Sequence, residues 1–228
     1  MTDPGILKEF KGKLIVSCQA GEGEPLRIPG YMAKMALAAK LGGAAGIRAE
    51  SLQDIRDIKA EVNLPVIGLW KVKTPGIDVY ITPTLEAARA VRAAGADIVA
   101  IDCTFRKNLQ GKWAWELIRE IKKEMGSLVL ADISTLEEGV NAEENGADLL
   151  STTLSGYTSY SPQSKEPDFG LIEELSPRVH IPLFAEGKIS TPEQAKHALE
   201  CGAYAVIVGT AITRPQEITK RFVDALGG

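Results

Sequence analysis

Short apolar runs rich in β-branched residues alternate along the chain with amphipathic stretches of helical period. This alternation is typical of repeated βα units, in which each helix leads into the next strand. The apolar runs predict eight strands, at residues 14–18, 46–49, 66–69, 98–101, 128–131, 149–151, 183–185 and 205–208. Parallel strands that are buried on both faces have this continuous apolar character. The pattern therefore predicts a parallel sheet of eight strands.

Helical periodicity between these runs is clearest at residues 31–40, 85–94, 113–125, 136–145 and 192–201. Thr191 and Pro192 are suited to the N-cap and the first turn of the last of these helices. The joints AAGADIVAID, ENGADLLSTT and ECGAYAVIVG form a weak internal repeat, each with a glycine after the helix and an apolar strand next. Glycine favours the left-handed conformation that ends a helix, so the repeat supports the βα reading.

Eight such units predict one closed (β/α)8 barrel, a TIM barrel, that occupies residues 1–228 as a single catalytic domain. Barrels of this kind commonly have about 250 residues. A doubly wound open sheet is the competing fold. It is disfavoured because no Gly-rich turn follows the first strand.

Composition and charge exclude several classes of partner. The formal net charge is -4 and no Lys/Arg cluster stands out, so we expect no nucleic acid as partner. The start of the chain is polar, and no run approaches the roughly 18 apolar residues of a membrane span. We therefore expect no membrane partner and a cytoplasmic location. The three cysteines are widely spaced, which suits reduced thiols.

In a barrel of this type the chemistry lies where the strands end and the βα loops begin. The polar or loop-forming residues at those positions are Gln19, Arg48, Lys71, Asp102, Asp132, Thr152, Thr153, Glu186, Gly209 and Thr210. Every predicted strand contributes at least one of them, so the sequence predicts a polar site at this end of the barrel.

The loops at residues 185–189 and 208–212 follow the last two strands and indicate a phosphate site. Gly187 and Gly209 would let the backbone approach an anion, and a helix N-terminus would supply N–H donors. Thr210 can add a hydroxyl, and Lys188 or Arg214 a positive charge. The alternative is that the glycines only shape tight turns, which is less favoured because both loops carry the pattern.

Lys71 follows the third apolar run and is expected to point into the mouth of the barrel. Loss of solvation there lowers the pKa of an ammonium group and makes a neutral amine available as a base or Schiff-base nucleophile. Lys71 can equally be a solvated loop residue or the partner of a carboxylate, whereas Lys73 is expected to be exposed. Glu186 is the second acid/base candidate. Its alternative is an ion pair with Lys71 or Lys188.

Arg48 and Asp132 are candidates for binding substrate. Asp132 can accept hydrogen bonds from sugar hydroxyls or organise a turn before the next helix. Arg48 can clamp substrate or pair with Glu50 or Asp132. Asp102 has the weakest case, because a carboxylate inside a barrel often serves only the protein's own network.

The residue pattern does not favour metal or cofactor chemistry. His180 and His197 lie before the seventh strand and on the following helix, away from the predicted site. No Ser/His/Asp or Cys/His set occurs at the strand ends, so the nucleophile and general base that acyl transfer requires are not predicted there. We predict an enzyme with no metal and no cofactor.

Across its length the chain resembles the bacterial N-acetylmannosamine-6-phosphate 2-epimerases. The segments that carry the resemblance are LIVSCQA, GIRAES, PVIGLWK, DVYITPT, ADISTLEEG, STTLSGYT, FAEGKISTPEQA and VIVGTAITRPQEIT. Of these, ITPT, DIST and LSGYT discriminate best, because the GTAI loop also occurs in other phosphate-binding barrels. The resemblance implies an enzyme of sialic acid catabolism that interconverts N-acetylmannosamine 6-phosphate and N-acetylglucosamine 6-phosphate.

The resemblance also implies roles for residues of this chain. Lys71 would be the proton-transfer lysine and Glu186 its carboxylate companion. Gln19, Arg48 and Asp132 would surround the amino sugar. Thr153, at the end of the sixth strand, is added to this substrate-binding set from its position. The residues near the phosphate would be Gly187, Lys188, Gly209, Thr210 and Arg214. One departure is the loop at residues 71–76, which reads KVKTPG where the family suggests a more polar KRDY-like sequence.

Two other functions remain open on the residues alone. An aldolase would use Lys71 as a Schiff base with a phosphorylated keto acid. A sugar-phosphate sensor would bind the same ligand without catalysis. A ribulose-phosphate-type epimerase is disfavoured because histidine ligands are missing. A homodimer is implied by the resemblance only.

Overall fold

A computed structural model describes residues 4–227 of the chain, and residues 1–3 and 228 of the predicted domain lie outside the described residues. Eight parallel strands form a closed barrel in chain order, each paired with its neighbours and the first paired with the last. The strands are β1 (Leu14–Cys18), β2 (Gly46–Glu50), β3 (Val66–Leu69), β4 (Ile98–Asp102), β5 (Leu128–Asp132), β6 (Leu149–Ser151), β7 (Leu183–Glu186) and β8 (Ala205–Val208). The predicted (β/α)8 barrel is confirmed.

Four strands extend one residue beyond the predicted apolar runs, and in each of the four that residue is acidic: Glu50, Asp102, Asp132 and Glu186. Asp102 and Asp132 lie side by side in the register of β4 and β5, and Glu186 lies opposite Ile207 in that of β7 and β8. Backbone pairing therefore continues past the apolar run and fixes these carboxyl groups at the rim of the barrel.

Helices cover the outside of the barrel. They are α1 (Tyr31–Leu41), α2 (Leu52–Glu61), α3 (Leu85–Ala93), α4 (Ala114–Met125), α5 (Leu136–Glu144), α6 (Phe169–Leu175), α7 (Pro192–Glu200), α8 (Thr210–Thr213) and α9 (Pro215–Ala225). The five helices predicted from periodicity are present within one residue at each end. The pattern did not single out α2, α6, α8 or α9, of which α6 and α8 are too short for a periodic signal.

Local sequence signals explain how the repeated units begin and end. Thr191 caps α7 as predicted, because its hydroxyl accepts a hydrogen bond from the backbone N–H of Gln194 at 3.2 Å. The repeated joint glycines Gly95, Gly146 and Gly202 have φ of 109°, 96° and 107°. Only glycine adopts such values without strain, so each joint can turn from helix to strand within a few residues.

The two ends of the barrel differ. At the end where the strands begin, a short 3-10 helix (Pro4–Phe10) brings the fully buried ring of Phe10 into edge contact with Phe184, at 5.6 Å between ring centres. Apolar side chains therefore close this end. The opposite end, where the strands terminate, is left for polar residues.

The C-terminal helix α9 packs differently from the rest, since none of its residues is buried. No helix in residues 4–227 has the length and apolar character that crossing a membrane requires.

Candidate active site

A cavity of about 540 Å³ opens at the carboxyl ends of the strands. Of the residues given catalytic, substrate-binding or phosphate-binding roles, all except Asp132 line it: Gln19, Arg48, Lys71, Thr153, Glu186, Gly187, Lys188, Gly209, Thr210 and Arg214. Asp102 and Thr152, the other polar residues at the strand ends, do not. Because parallel strands end at one rim, residues far apart in sequence converge there.

Arg48 forms the centre of the polar network. Its side chain is only 1% exposed, and its guanidinium donates to both oxygens of Asp132, at 2.9 and 2.6 Å, and to Glu186 Oε2 at 2.8 Å. Burial alone would lower the pKa of Arg48, but the carboxylates of Asp132 and Glu186 outweigh it and raise the pKa. Of the two partners left open, Asp132 is the one observed, since Glu50 pairs with Arg27 at 3.1 Å.

Asp132, the bidentate partner of Arg48, is fully buried. The hydroxyl oxygen of Thr153 lies 2.6 Å from Asp132 Oδ1 and 2.9 Å from Glu186 Oε2, so it bridges the two carboxyl groups. Asp132 is thus engaged by protein groups and does not reach the cavity wall.

The two carboxylate oxygens of Glu186 have different surroundings. Oε2 accepts from Arg48, Thr153 and Ser151, whereas Oε1 accepts no hydrogen bond from residues 4–227. Burial raises the pKa of the Glu186 carboxyl, with Asp132 adding to the rise and Arg48 opposing it. The alternative ion pair with Lys71 or Lys188 is wrong, because Arg48 is the cationic partner.

Lys71 lies on the opposite part of the rim. Its ammonium donates to Gln19 Oε1 at 2.8 Å, and Gln19 Nε2 in turn donates to Ser17 Oγ at 3.0 Å. Burial is the largest effect on Lys71 and lowers its pKa, with Glu50 opposing the shift. Lys73 is exposed, as predicted.

A hairpin after β3 explains how Lys71 is held. Val72 N–H donates to the Tyr80 carbonyl at 2.9 Å, and Thr82 N–H donates to the Trp70 carbonyl at 2.9 Å. A turn from Thr74 to Ile77 closes the tip. The departure from the family pattern therefore lies between the base and the tip of this hairpin, while Lys71 and Tyr80 line the cavity from its base.

The loops after β7 and β8 form the glycine-rich side of the cavity. Gly187 has φ 109° and Lys188, unusually for a residue with a side chain, has φ 61°. The backbone N–H groups of Ile212 and Thr213 donate to the Gly209 carbonyl, so those of Thr210 and Ala211 precede the first hydrogen bonds of α8. Arg214 also lines this side and pairs with Glu24 at 2.9 Å. Cationic side chains and backbone donors thus meet at one end of the cavity.

The other candidate groups lie outside the cavity. Asp102 bonds to Thr104 and pairs with Arg106 at 2.9 Å, in keeping with a role in the protein's own network. Neither histidine lines the cavity, and no cluster of three or more potential metal-binding side chains occurs among the described residues.

Several lining residues were not singled out from the sequence, namely Ser17, Tyr80, Leu154, Tyr157, Lys165, Glu217 and Arg221. Tyr80 and Tyr157 lie within the DVYITPT and LSGYT segments, so the motifs carried a signal for them. Arg221 belongs to α9, and only the folded position of that helix brings it to the site.

Comparison with known proteins identifies similar chains. The sequence model of the family described as "Putative N-acetylmannosamine-6-phosphate epimerase" matches residues 32–228. A protein of Caldanaerobacter subterraneus subsp. tengcongensis named as an N-acetylmannosamine-6-phosphate 2-epimerase is 57% identical, over 96% of this chain and 92% of its own length.

Two solved structures are informative. The N-acetylmannosamine-6-phosphate 2-epimerase of Clostridium perfringens superposes with a TM-score of 0.93 at 50% identity, covering 96% of both chains. Thiamine phosphate pyrophosphorylase of Pyrococcus furiosus reaches a TM-score of 0.59 at 18% identity, over 97% of this chain and 100% of its own, which indicates a shared fold alone.

Proposed function

The chain belongs to the N-acetylmannosamine-6-phosphate epimerase family, and on that premise we propose that Lys71 and Glu186 move the protons of a C2 epimerisation. The reaction interconverts N-acetylmannosamine 6-phosphate and N-acetylglucosamine 6-phosphate, so the enzyme is an isomerase acting on a small sugar phosphate. Inversion at C2 requires a proton to leave one face of the carbon and a proton to return to the other.

The main support for this proposal is the position of Lys71 and Glu186 around the barrel. Lys71 follows β3 and Glu186 ends β7, and four strand positions separate β3 from β7 in a closed barrel of eight. The two strand ends therefore face each other across the mouth. No ion pair joins Lys71 to Glu186 among residues 4–227, and both side chains line the cavity of about 540 Å³.

The chemistry follows from the charges of this pair. In the open-chain sugar the aldehyde acidifies the proton at C2, and neutral Lys71 removes it. Glu186, protonated and with Oε1 facing the cavity, returns a proton to the opposite face. Arg48, held by Asp132 and Thr153, keeps the Glu186 carboxyl in place, and Gln19 orients Lys71.

The glycine-rich side of the cavity would bind the phosphate. Gly187, Gly209 and Thr210 offer backbone donors, and Lys188 and Arg214 offer positive charge. Binding a phosphate remote from C2 orients the reacting carbon without taking part in its chemistry. This division places recognition near β7 and β8 and proton removal near β3.

The pH dependence of turnover tests the two-group proposal. Either direction uses a Lys71–Glu186 pair that carries one proton, so we expect kcat to fall when the pair gains a second proton or loses its only one. The acid limb should lie above 4.5, because the pKa of Glu186 is raised, and the alkaline limb below 10.5, because the pKa of Lys71 is lowered.

The measurement is kcat at saturating substrate, because the phosphate of the free sugar itself titrates at about pH 6 and would distort kcat/KM. A bell-shaped profile between those limits is the expected result. A profile that rises to a plateau with no alkaline limb would contradict it, since neutral Lys71 would then suffice alone.

A homodimer in the cytoplasm is the remaining proposal. Phe222, Val223 and Leu226 near the C-terminus are 70%, 48% and 88% exposed, an apolar surface that a second copy would cover. All three cysteines are free, as suits a reducing compartment. Sedimentation equilibrium that gave the mass of a single chain would rule out the dimer.

A further inference from the structure

A fully buried carboxylate outside the cavity lies at the centre of a second network. Glu138, on α5, belongs to the DISTLEE segment and takes no part in the proposed chemistry. Its Oε1 accepts from Phe105 N–H at 2.7 Å and from the Tyr160 hydroxyl at 2.6 Å. Its Oε2 accepts from the backbone N–H groups of Ser134 and Thr135 and from the Ser134 hydroxyl. One carboxylate therefore ties together the loops that follow β4, β5 and β6.

The segment reached through Tyr160 is the 152–168 loop, which follows β6 and contributes Thr153, Leu154, Tyr157 and Lys165 to the cavity wall. Within this loop the Gly156 N–H donates to Ser161 Oγ at 2.8 Å, and the Ser155 hydroxyl donates to Asp168 at 2.5 Å. These hydrogen bonds tie the loop to itself, and Tyr160 is its direct link to Glu138.

The same loop positions a cation at the phosphate end of the cavity. The ammonium of Lys188 lies 5.3 Å from the centre of the Tyr157 ring, a distance at which a cation is attracted to an aromatic face. A Cβ on Gly156 would lie 1.9 Å from Lys188 Nζ, so the loop backbone also limits where the ammonium can go. Lys188 therefore rests on the loop that Tyr160 anchors.

We propose that Glu138 and Tyr160 are positioning residues, which hold the 152–168 loop so that Tyr157 and Gly156 fix Lys188 at the phosphate end of the cavity. This inference rests on the proposed function, which assigns phosphate binding to that end. Neither Glu138 nor Tyr160 lines the cavity, and both act through the loop.

Tyr160→Phe is the test, because it removes one hydrogen bond and leaves the other donors to Glu138 in place. We expect KM for N-acetylmannosamine 6-phosphate to rise about fivefold, the factor that one lost hydrogen bond at a half-exposed position produces. We expect kcat to stay within about twofold, because Lys71 and Glu186 are untouched. The dissociation constant of inorganic phosphate, followed by phosphorus NMR, should rise in parallel, and trypsin should cleave after the exposed Lys165 faster.

Two comparisons separate positioning from general loss of structure. Tyr31→Phe removes the hydroxyl of another half-exposed tyrosine, on α1 and away from the loop, and should change none of these quantities. In a Lys188→Ala background, Tyr160→Phe should add little to KM, because the group it positions is gone.

An unchanged KM and phosphate affinity in Tyr160→Phe would overturn the proposal, as would a KM effect that persists in full without Lys188. Glu138→Gln is the more disruptive variant, since it also weakens the acceptor for three backbone N–H groups. If the unaltered enzyme failed to epimerise, the proposed function would fall, whereas phosphate affinity and tryptic cleavage would still report on the loop.

Discussion

Lys71→Met should lower kcat by about 10³-fold, within the range that a positioned acid/base group contributes. The hairpin after β3 and the bond to Gln19 hold the amine at the cavity wall, where we propose that it meets the C2 proton. The other lysines that line the cavity, Lys165 and Lys188, lie after β6 and β7. The Lys71→Met variant should fold normally. Burial disfavours the charged form of Lys71, so an apolar chain of similar length should leave the free energy of unfolding unchanged or slightly higher.

Lys73→Met is the matched control, because Lys73 lies two residues further along the same hairpin and is exposed. It should retain kcat within about twofold, as expected of a surface substitution away from the reacting atoms. Steady-state kinetics of the two variants measure kcat, and thermal unfolding shows whether both are folded. A Lys71→Met enzyme that was folded and nearly as active as the unaltered one would remove Lys71 from the reaction.

Arg48→Met should destabilise the protein by about 3–5 kcal/mol at neutral pH, because it leaves Asp132 and Glu186 buried without their cationic partner. It should also abolish turnover, since the Glu186 carboxyl loses the group that fixes it. Urea unfolding at neutral pH measures the first effect.

The loss of folding stability in Arg48→Met should be smaller at acid pH. Arg48 opposes the rise in the pKa of the Glu186 carboxyl, so its removal raises that pKa further above the value in the unfolded chain, and the folded variant binds more protons. Its stability relative to the unaltered protein should therefore recover as the pH falls from about 8 to about 5. Arg89→Met, which breaks the exposed pair with Glu124, should leave stability close to that of the unaltered protein. An equally small change in Arg48→Met would contradict a stabilising role for the network of Arg48, Asp132 and Glu186.

The barrel and most of the site were predictable from the sequence for a topological reason. Apolar runs marked the strands, and a parallel barrel brings all strand ends to one rim, so residues as distant as Gln19 and Thr210 could be placed together. The strand ends themselves were missed by one residue at Glu50, Asp102, Asp132 and Glu186. Backbone hydrogen bonding continues past the apolar run, and polarity alone gives no sign of it.

The choice of partners within the site was not predictable. Arg48 had Glu50 and Asp132 within plausible reach, and side-chain direction, which sequence does not specify, selected Asp132 and Glu186. Tyr80 reaches the cavity because a hairpin folds the chain back after Lys71. Arg221 reaches it because α9 begins directly after α8. Both depend on tertiary placement, which local periodicity does not report.

In the proposed reaction the enzyme exchanges the proton at C2 of its substrate with solvent. Proton NMR of the purified enzyme with N-acetylmannosamine 6-phosphate in deuterated water, without added metal, tests it most directly. We expect N-acetylglucosamine 6-phosphate that carries deuterium at C2. An unchanged spectrum with folded protein, or a gluco product that retained its original proton at C2, would contradict it.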